Sequence, residues 1–319
     1  VGRRAAVWVA LGLLQLVVVL TLALAGPDDS PHRAPIRIVA SPVVAAALVD
    51  TANALDGTPF SARPLATAAQ ARASVTSGRS VAAVVVDLRN EKDVLYLASA
   101  NGEDLNRAIV REVALVEGAY GRRADVRDLV RADAGDTDHQ RVYLLTGLAV
   151  ATGLVVAMVS TWRRGPRSET LAAGARRLVV NGAAAVVVGG VLAAYASHSY
   201  GTGLAVWWLV AALAIFAVSS ATYALESLFG VVGIGVAITV LVLAAAPLVT
   251  AAHPLLLPQP WAAITPWLPH GAALAAGTSQ AYFGADQVVR PLAVLVAWSV
   301  LAVLTSIVAR RERLRAATT

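Results

Sequence analysis

Six runs of apolar residues constrain this chain more than any other feature. Each approaches the ~20 residues that a helix rising 1.5 Å per residue needs to cross about 30 Å of hydrocarbon. They are VWVALGLLQLVVVLTLALAG at 7–26, VYLLTGLAVATGLVVAMVSTW at 142–162, the stretches 178–197, 204–225 and 231–252, and PLAVLVAWSVLAVLTSIVA at 291–309. Only the turn SHSYGTG separates the third from the fourth, as in a helical hairpin. The sixth opens on Pro291, whose missing N–H costs nothing in a first helical turn. With 57% hydrophobic residues, 14% charged residues and a mean hydropathy of +0.66, the chain is too apolar for one soluble core. It reads as a polytopic α-helical membrane protein with six transmembrane helices, and the lipid bilayer is its first partner.

Orientation follows from arginines on short loops. Arg3 and Arg4 precede the first run, Arg163, Arg164, Arg167, Arg176 and Arg177 lie between the second and third, and Arg310, Arg311, Arg313 and Arg315 follow the sixth. All three clusters reach the cytoplasm together if both termini are inside. The turn at 198–203, the segment 253–290 and the long segment 27–140 then face outward. The same clustering accounts for the net charge of +6 beside apolar runs, which excludes nucleic acid as a partner. Arginine far outnumbers lysine, of which Lys92 is the only one, and Ala, Val and Gly abound, a bias of GC-rich bacterial genomes. The expected location is a bacterial inner or plasma membrane. A cleaved signal peptide is the alternative for 7–26, since Arg3 and Arg4 resemble an n-region and LALAG offers small residues. The run exceeds a usual signal core, which favours a retained anchor; cleavage leaves the other five spans oriented as before.

Three parts result: 1–26, an N-terminal end and first span; 27–140, a small α/β extracytoplasmic domain inserted between the first and second spans; and 141–315, a five-helix membrane domain. In 27–140 the composition changes, with 13 basic and 16 acidic residues. PIRIVAS, VAAVVVD and DVLYLAS alternate as strands do, and PVVAAALVDTANAL, TAAQARASVTSG and NGEDLNRAIVREVALVEGAYG read as helices, the last two ending on glycine.

Catalytic signatures are missing from the sequence. Lys92 sits in NEKD with no glycine-rich turn before it, so the chain carries no P-loop, and neither G-x-S-x-G nor H-E-x-x-H occurs. There is no cysteine. The histidines His32, His139, His198, His253 and His270 fall outside or at the outer interface, with no metal-ligand spacing on one helix face. The expectation is a non-enzyme without catalytic residues, cofactor or metal of its own; any ATP is bound by a partner.

Two intramembrane polar residues stand out. Glu226, in YALESLFG near the cytoplasmic end of the fourth run, either lines a pathway or binds a partner helix, or simply reaches headgroup water. Asn181, near the start of the third, either hydrogen-bonds across helices or packs plainly. Gly230, Gly233 and Gly235 open the fifth run and permit close helix approach. RRGPRSETLAAGARR at 163–177, with Arg163, Arg164, Arg167, Glu169, Arg176 and Arg177, is either a short helix begun by Ser168–Thr170 on the cytoplasmic face or a basic loop drawn to anionic lipid. ITPWLPHGAALAAGTSQAYFG at 264–284 holds too many prolines and glycines for a span and too few charges for a soluble loop.

The order of these parts resembles the exporter-class type 2 ABC transporter permeases, and most closely the phage infection protein family, over nearly the whole chain. The likeness is carried by ATAAQARASVTSGRSVAAVVVD followed by LYLASANG, by AGDTDHQRVYLLTGLAV leading into the second span, by SLFGVVGIGVAITV opening the fifth, and by TPWLPHGAALAAGTSQAYFG before the last. APLVTAAHP at 246–254 departs from the more polar stretch of that family. The resemblance implies that 254–290, with Pro266, Trp267, Pro269, His270, Gly271 and Gly277, forms short helices that dip into the outer leaflet and return. An amphipathic segment lying on the outer surface is the alternative. It further implies a permease subunit that acts as a homodimer or pseudo-symmetric heterodimer, takes energy from a separate cytoplasmic ATPase through 163–177, and exports apolar or amphipathic cargo. The competing expectation is a non-transporting surface protein whose outer domain binds a partner, cell-wall component or phage.

Overall fold

The computed structural model describes residues 28–316 apart from 90–91, 134, 137–138, 166–169 and 245–252, together with residues 12, 13, 16 and 20 of the first apolar run. The rest of that run, Arg167, Glu169 and the end of the fifth run lie outside the described residues.

Residues 28–130 build an α/β unit in the order β1 Ala34–Val39, α1 Pro42–Asn53, β2 Phe60–Leu65, α2 Ala68–Thr76, β3 Ala82–Val85, β4 Lys92–Leu97, α3 Glu103–Ala119 and β5 Arg123–Asp128. The sheet order is β2-β1-β3-β4-β5; β1 runs parallel to β2 and β3, and β4 runs antiparallel to β3 but parallel to β5. Local chemistry explains the helices. Pro42 sits in the first turn of α1, Thr67 Oγ1 accepts from Gln70 N at 3.2 Å to cap α2, and Glu103 and Asp104 face the positive end of α3. Leu105, Ile109 and Val113 recur at four-residue steps and form the buried stripe of α3. The two strands that periodicity does not announce, FSARPL and RADVRD, are the sheet edges. An edge tolerates Pro64 and a mostly exposed, charged β5, so neither shows clean alternation.

Each sheet face has its own core. Ile36, Ile38, Phe60, Val84 and Leu95 pack with α1 and α3 on one face. Val39, Ala83 and Tyr96 pack with Ala71 and Val75 of α2 on the other, and Phe283, from far along the chain, completes that side. Gly78 makes room for it: its φ is +68°, and a Cβ there would lie 3.0 Å from the Phe283 ring. The 3-10 turn Pro254–Leu256 also joins the unit, since Leu255 O and Leu256 O accept from His32 N and Asp28 N at 2.7 Å and Leu256 enters the α1/α3 core.

The remainder is helical: α4 Gln140–Arg164, α5 Leu171–Tyr200, α6 Leu204–Phe229, α7 Val232–Ala244, α8 Pro269–Tyr282 and α9 Val289–Ala316. Four of these, α4, α5, α6 and α9 over Val289–Arg311, are long and apolar enough to cross a membrane. Their outer faces expose large apolar side chains such as Leu148, Val155, Val187, Val191, Leu301 and Leu304, which suits hydrocarbon and not water. The third apolar run starts earlier than its composition suggests. Thr170 Oγ1 caps Ala173 N at 3.1 Å, and α5 then continues unbroken through Arg176 and Arg177, so these two arginines belong to a long helix and not to a loop. In lipid, small residues let helices approach. A Cβ on Gly153 would come within 2.8 Å of Ile215 O, and one on Gly189 within 2.8 Å of Ala212 N, so α4 and α5 both lie against the backbone of α6.

Pro258, Pro260, Pro266 and Pro269 break the segment before α8 into single turns, Trp261–Ile264 and Thr265–Trp267. The helix α8 is too short to cross a bilayer, yet it is buried on nearly every side, with Ala275 its one exposed residue. It packs against the α/β-proximal ends of α4, α6 and α9 through Ala272, Ala273 and Ala276. A surface-lying amphipathic helix would keep an exposed polar face. Gly271 is the tightest point, because a Cβ there would overlap the Thr265 carbonyl and lie 2.7 Å from Thr265 Cγ2. Gly271→Leu should cost at least the roughly 1–3 kcal/mol of core overpacking and lower the thermal midpoint of the detergent-solubilised protein, whereas Ala275→Leu should leave it unchanged. Fluorescence-detected size exclusion after heating reads both, and equal midpoints for the two variants would reject the buried placement.

Candidate functional site

Two polar centres lie at opposite ends of the helical bundle. At the end remote from the α/β unit, Thr161 in the last turn of α4, Arg177 two turns into α5 and Glu226 in the last turn of α6 converge. Arg177 and Glu226 are both fully buried. Arg177 Nη2 donates to Glu226 Oε2 at 2.5 Å and to Thr161 Oγ1, and Nη1 donates to Gly165 O at 3.1 Å. Thr161 Oγ1 stands 2.7 Å from both carboxylate oxygens. The guanidinium carbon lies 4.3 Å from the centroid of the Tyr223 ring, one turn before Glu226, which adds a cation–π contact. Glu226 thus binds a partner helix and does not reach toward headgroup water. The loop expectation for Arg177 is replaced as well: four-residue spacing puts it on the buried face of α5 with Asn181, Ala185 and Gly189, while its neighbour Arg176 is exposed.

Arg163 and Arg164 end α4 on exposed positions beside this centre. Cations there complement the negative end of the helix. Asn181, one turn beyond Arg177, is fully buried, and neither its Oδ1 nor its Nδ2 has a hydrogen-bond partner among the described residues. The turn from α6 to α7 is tight. Gly230 closes α6 with φ +67°, and a Cβ on Gly233 would lie 2.5 Å from Glu226 N, so two of the glycines that open the fifth run hold α7 against the backbone bearing the carboxylate.

The second centre joins the bundle to the α/β unit. Asp136, 3% exposed, precedes α4; its Oδ1 accepts from Arg141 N at 2.9 Å and its Oδ2 from the hydroxyls of Tyr200 at 2.5 Å and Tyr282 at 3.0 Å. One carboxylate therefore ties the start of α4 to the ends of α5 and α8. His139 stacks on Tyr282 with centroids 4.8 Å apart, and Tyr200 stacks on Trp207 at 5.6 Å. Burial, then the adjacent Asp136 charge, pushes the Tyr282 hydroxyl well above the ordinary phenol range, so it remains a donor.

Between this centre, α8 and the sheet lies a cavity of about 330 Å³ whose wall includes His139, His253, Pro266, Gly271, Ser279 and Arg290. Pro269 begins α8, His270 is buried in its first turn, and Gly277 packs 3.0 Å, at a virtual Cβ, from Val142 Cγ1 of α4. Trp267 is 58% exposed, covered on one ring face by Arg290 at 5.0 Å, with its carbonyl accepting from Trp298 Nε1 at 2.7 Å. Among the described residues no group of three or more His, Cys, Asp or Glu side chains is placed to hold a metal.

Sequence reasoning singled out Glu226 and Arg177 separately and missed their pairing. Opposite charges on successive apolar runs, both near the same membrane face, were the available signal. It also missed Asp136, which looks like any acidic linker residue until the fold brings two tyrosines to it. Comparison with protein-family models, curated proteins and solved structures finds no match.

Breaking a buried pair strands a charge in a medium that solvates it poorly. Arg177→Met or Glu226→Leu alone should therefore cost about 3–5 kcal/mol, while the double variant should recover most of that loss. Denaturant unfolding of the four proteins in micelles measures the coupling, and additive losses would show that the pair is not a structural unit.

Proposed function

We propose that the chain is the membrane-spanning permease subunit of an ABC-type exporter. It crosses the membrane six times, with the α/β unit outside between the first and second spans and both termini in the cytoplasm. The observation that carries this reading is α8: a short, buried helix preceded by prolines and lodged among the ends of the spans nearest the α/β unit, beside a cavity, as a re-entrant gate requires. A chain that only anchors an outer domain has no need of it.

In this reading a separate cytoplasmic ATPase docks on the exposed Arg163, Arg164 and Arg176, where α4 and α5 turn back. The Arg177–Glu226–Thr161 centre lies directly behind that corner and makes α4, α5 and α6 move together. Closure of the ATPase on ATP tilts these helices, loosens their contacts with α8 and opens the outer cavity to apolar or amphipathic cargo. Two subunits form the pathway.

Affinity purification in mild detergent should bring down an ATPase, and replacing Arg163, Arg164 and Arg176 together with alanine should abolish that association without reducing membrane insertion. Because the chain has no cysteine, Thr51→Cys on α1 and Ala172→Cys on α5 report topology directly. An impermeant maleimide should label the first and not the second in intact cells whose inner membrane alone is the barrier. Absence of any ATPase would shift the reading to a surface membrane protein whose outer domain binds a partner, and labelling of Ala172→Cys would reverse the orientation.

A further inference from the structure

The α/β unit contains an internal cavity of about 250 Å³, on the sheet face opposite Phe283 and the bundle. Topology creates it. The crossover helix α1 lies over β1 and β2, which it connects, and α3 lies over β4 and β5, which it connects, so a gap remains above β3 between the two helices. Ile38, Leu48, Val84 and Val113 form its apolar wall, and the exposed Leu88 and Tyr120 stand at its rim. A space of this size takes an apolar body of roughly ten non-hydrogen atoms.

A second carboxyl group sits in that wall, beside an ion pair and hydrogen-bonded to its acidic member. Arg122 already has a complete partner in Asp93, to which it donates from Nε at 2.7 Å and from Nη2 at 2.5 Å. Although burial opposes it, the hydrogen bonds from Arg122, Glu117 and the Asp87 amide hold Asp93 below the ordinary carboxylate range. Glu117 is therefore not needed as a counter-ion. It is 8% exposed, it occupies the last turn of α3 where the helix end is itself negative, and its Oε2 has no hydrogen-bond partner among the described residues. Burial, then the hydrogen bond and charge of Asp93, pushes its carboxyl up to about 7. With Asp93 neutralised by Arg122, ionised Glu117 leaves one uncompensated negative charge facing an apolar chamber.

We propose that this cavity binds a small cationic amphiphile, an apolar body ending in a protonated amine that pairs with the Glu117 carboxylate. The charge balance selects the head group and the wall selects the body. The groups that face Glu117 are Asp93 on β4, Arg122 after α3 and, through its charge on Arg122, Asp87 after β3. Of these only Glu117 titrates near neutrality, so the amine should bind more weakly at pH 5.5, where the carboxyl is neutral, than at pH 8.

The site is independent of the transport reading, and its test needs no ATPase. 4-Phenylbutylamine, 4-phenylbutan-1-ol and 4-phenylbutyrate can be titrated against the full-length protein in phospholipid nanodiscs by saturation-transfer NMR, with empty nanodiscs as the reference for lipid partition. The amine should bind saturably with a dissociation constant on the order of 0.1 mM. The alcohol should bind about tenfold more weakly, and the acid not at all, because each loses the charge complement. Glu117→Gln should reduce amine binding about tenfold and abolish its pH dependence. Val116→Trp should block the cavity, with Leu48→Trp as a second block if the first unfolds by near-ultraviolet circular dichroism. Saturable amine binding that is equal in folded Glu117→Gln, equal affinity for alcohol and amine, or no signal above empty nanodiscs would each overturn the assignment.

Discussion

A charge pair inside a bilayer survives only when both members are present and their hydrogen-bonding capacity is largely filled. Arg177 and Glu226 meet that condition by recruiting Thr161 from a third helix and the ring of Tyr223 as a lid. The consequence is geometric. Lipid tails are as apolar as the helix surfaces, so no hydrophobic drive assembles α4, α5 and α6, and their register must come from close packing and from such polar contacts. The pair fixes one end of this three-helix group, and the near-contact of Gly153 and Gly189 with the α6 backbone fixes its middle. The other elements then arrange themselves around α6, with α9 and α8 along its length and α7 turning back at Gly230.

At the opposite end, where the bundle meets the α/β unit, Asp136 performs the corresponding role among three helices. Its two oxygens collect the start of α4, Tyr200 of α5 and Tyr282 of α8. One residue after Tyr282, Phe283 enters the core beneath α2, so the bundle and the sheet share an apolar contact next to a shared carboxylate. The α/β unit is thus attached at several points through Phe283 and Leu256, and not merely tethered by a linker. Strands β1 and β3 form a common wall. Ile38 and Val84 face the cavity bearing Glu117, while the adjacent Val39 and Ala83 face the side that receives Phe283. Occupation of the first side would press on a sheet whose other side is held by the bundle, which gives a ligand bound there a short physical route to α8.

How much of this could be read from the chain depends on whether the residue's environment is local. Thr67, Pro42 and the acidic first turn of α3 act on their own helix, so their effect is visible in a short window of sequence. The edge strands β2 and β5 escaped because a strand with one open side need not alternate, and Pro64 argues against a strand only where both sides are paired. The stretch around α8 announced itself through its unusual mixture of proline, glycine and apolar residues, but its burial on nearly every side depends on α4, α6 and α9, which the fold brings to it from before and after it in the chain.

By itself the sequence determined the apolar runs, the polar α/β segment among them, the absence of a phosphate-binding loop and the placement of arginines beside particular runs. These are properties of composition and of periods of two and 3.6 residues, which act over single elements. Only the tertiary structure decided that Arg177 points inward while Arg176 points outward, that Glu226 is its partner, that Asp136 collects two tyrosines, and that Glu117 faces a chamber between α1 and α3. Each depends on which faces of distant helices meet. That is set by the fit of small residues and the pairing of a few charges across the fold, and no local pattern encodes it.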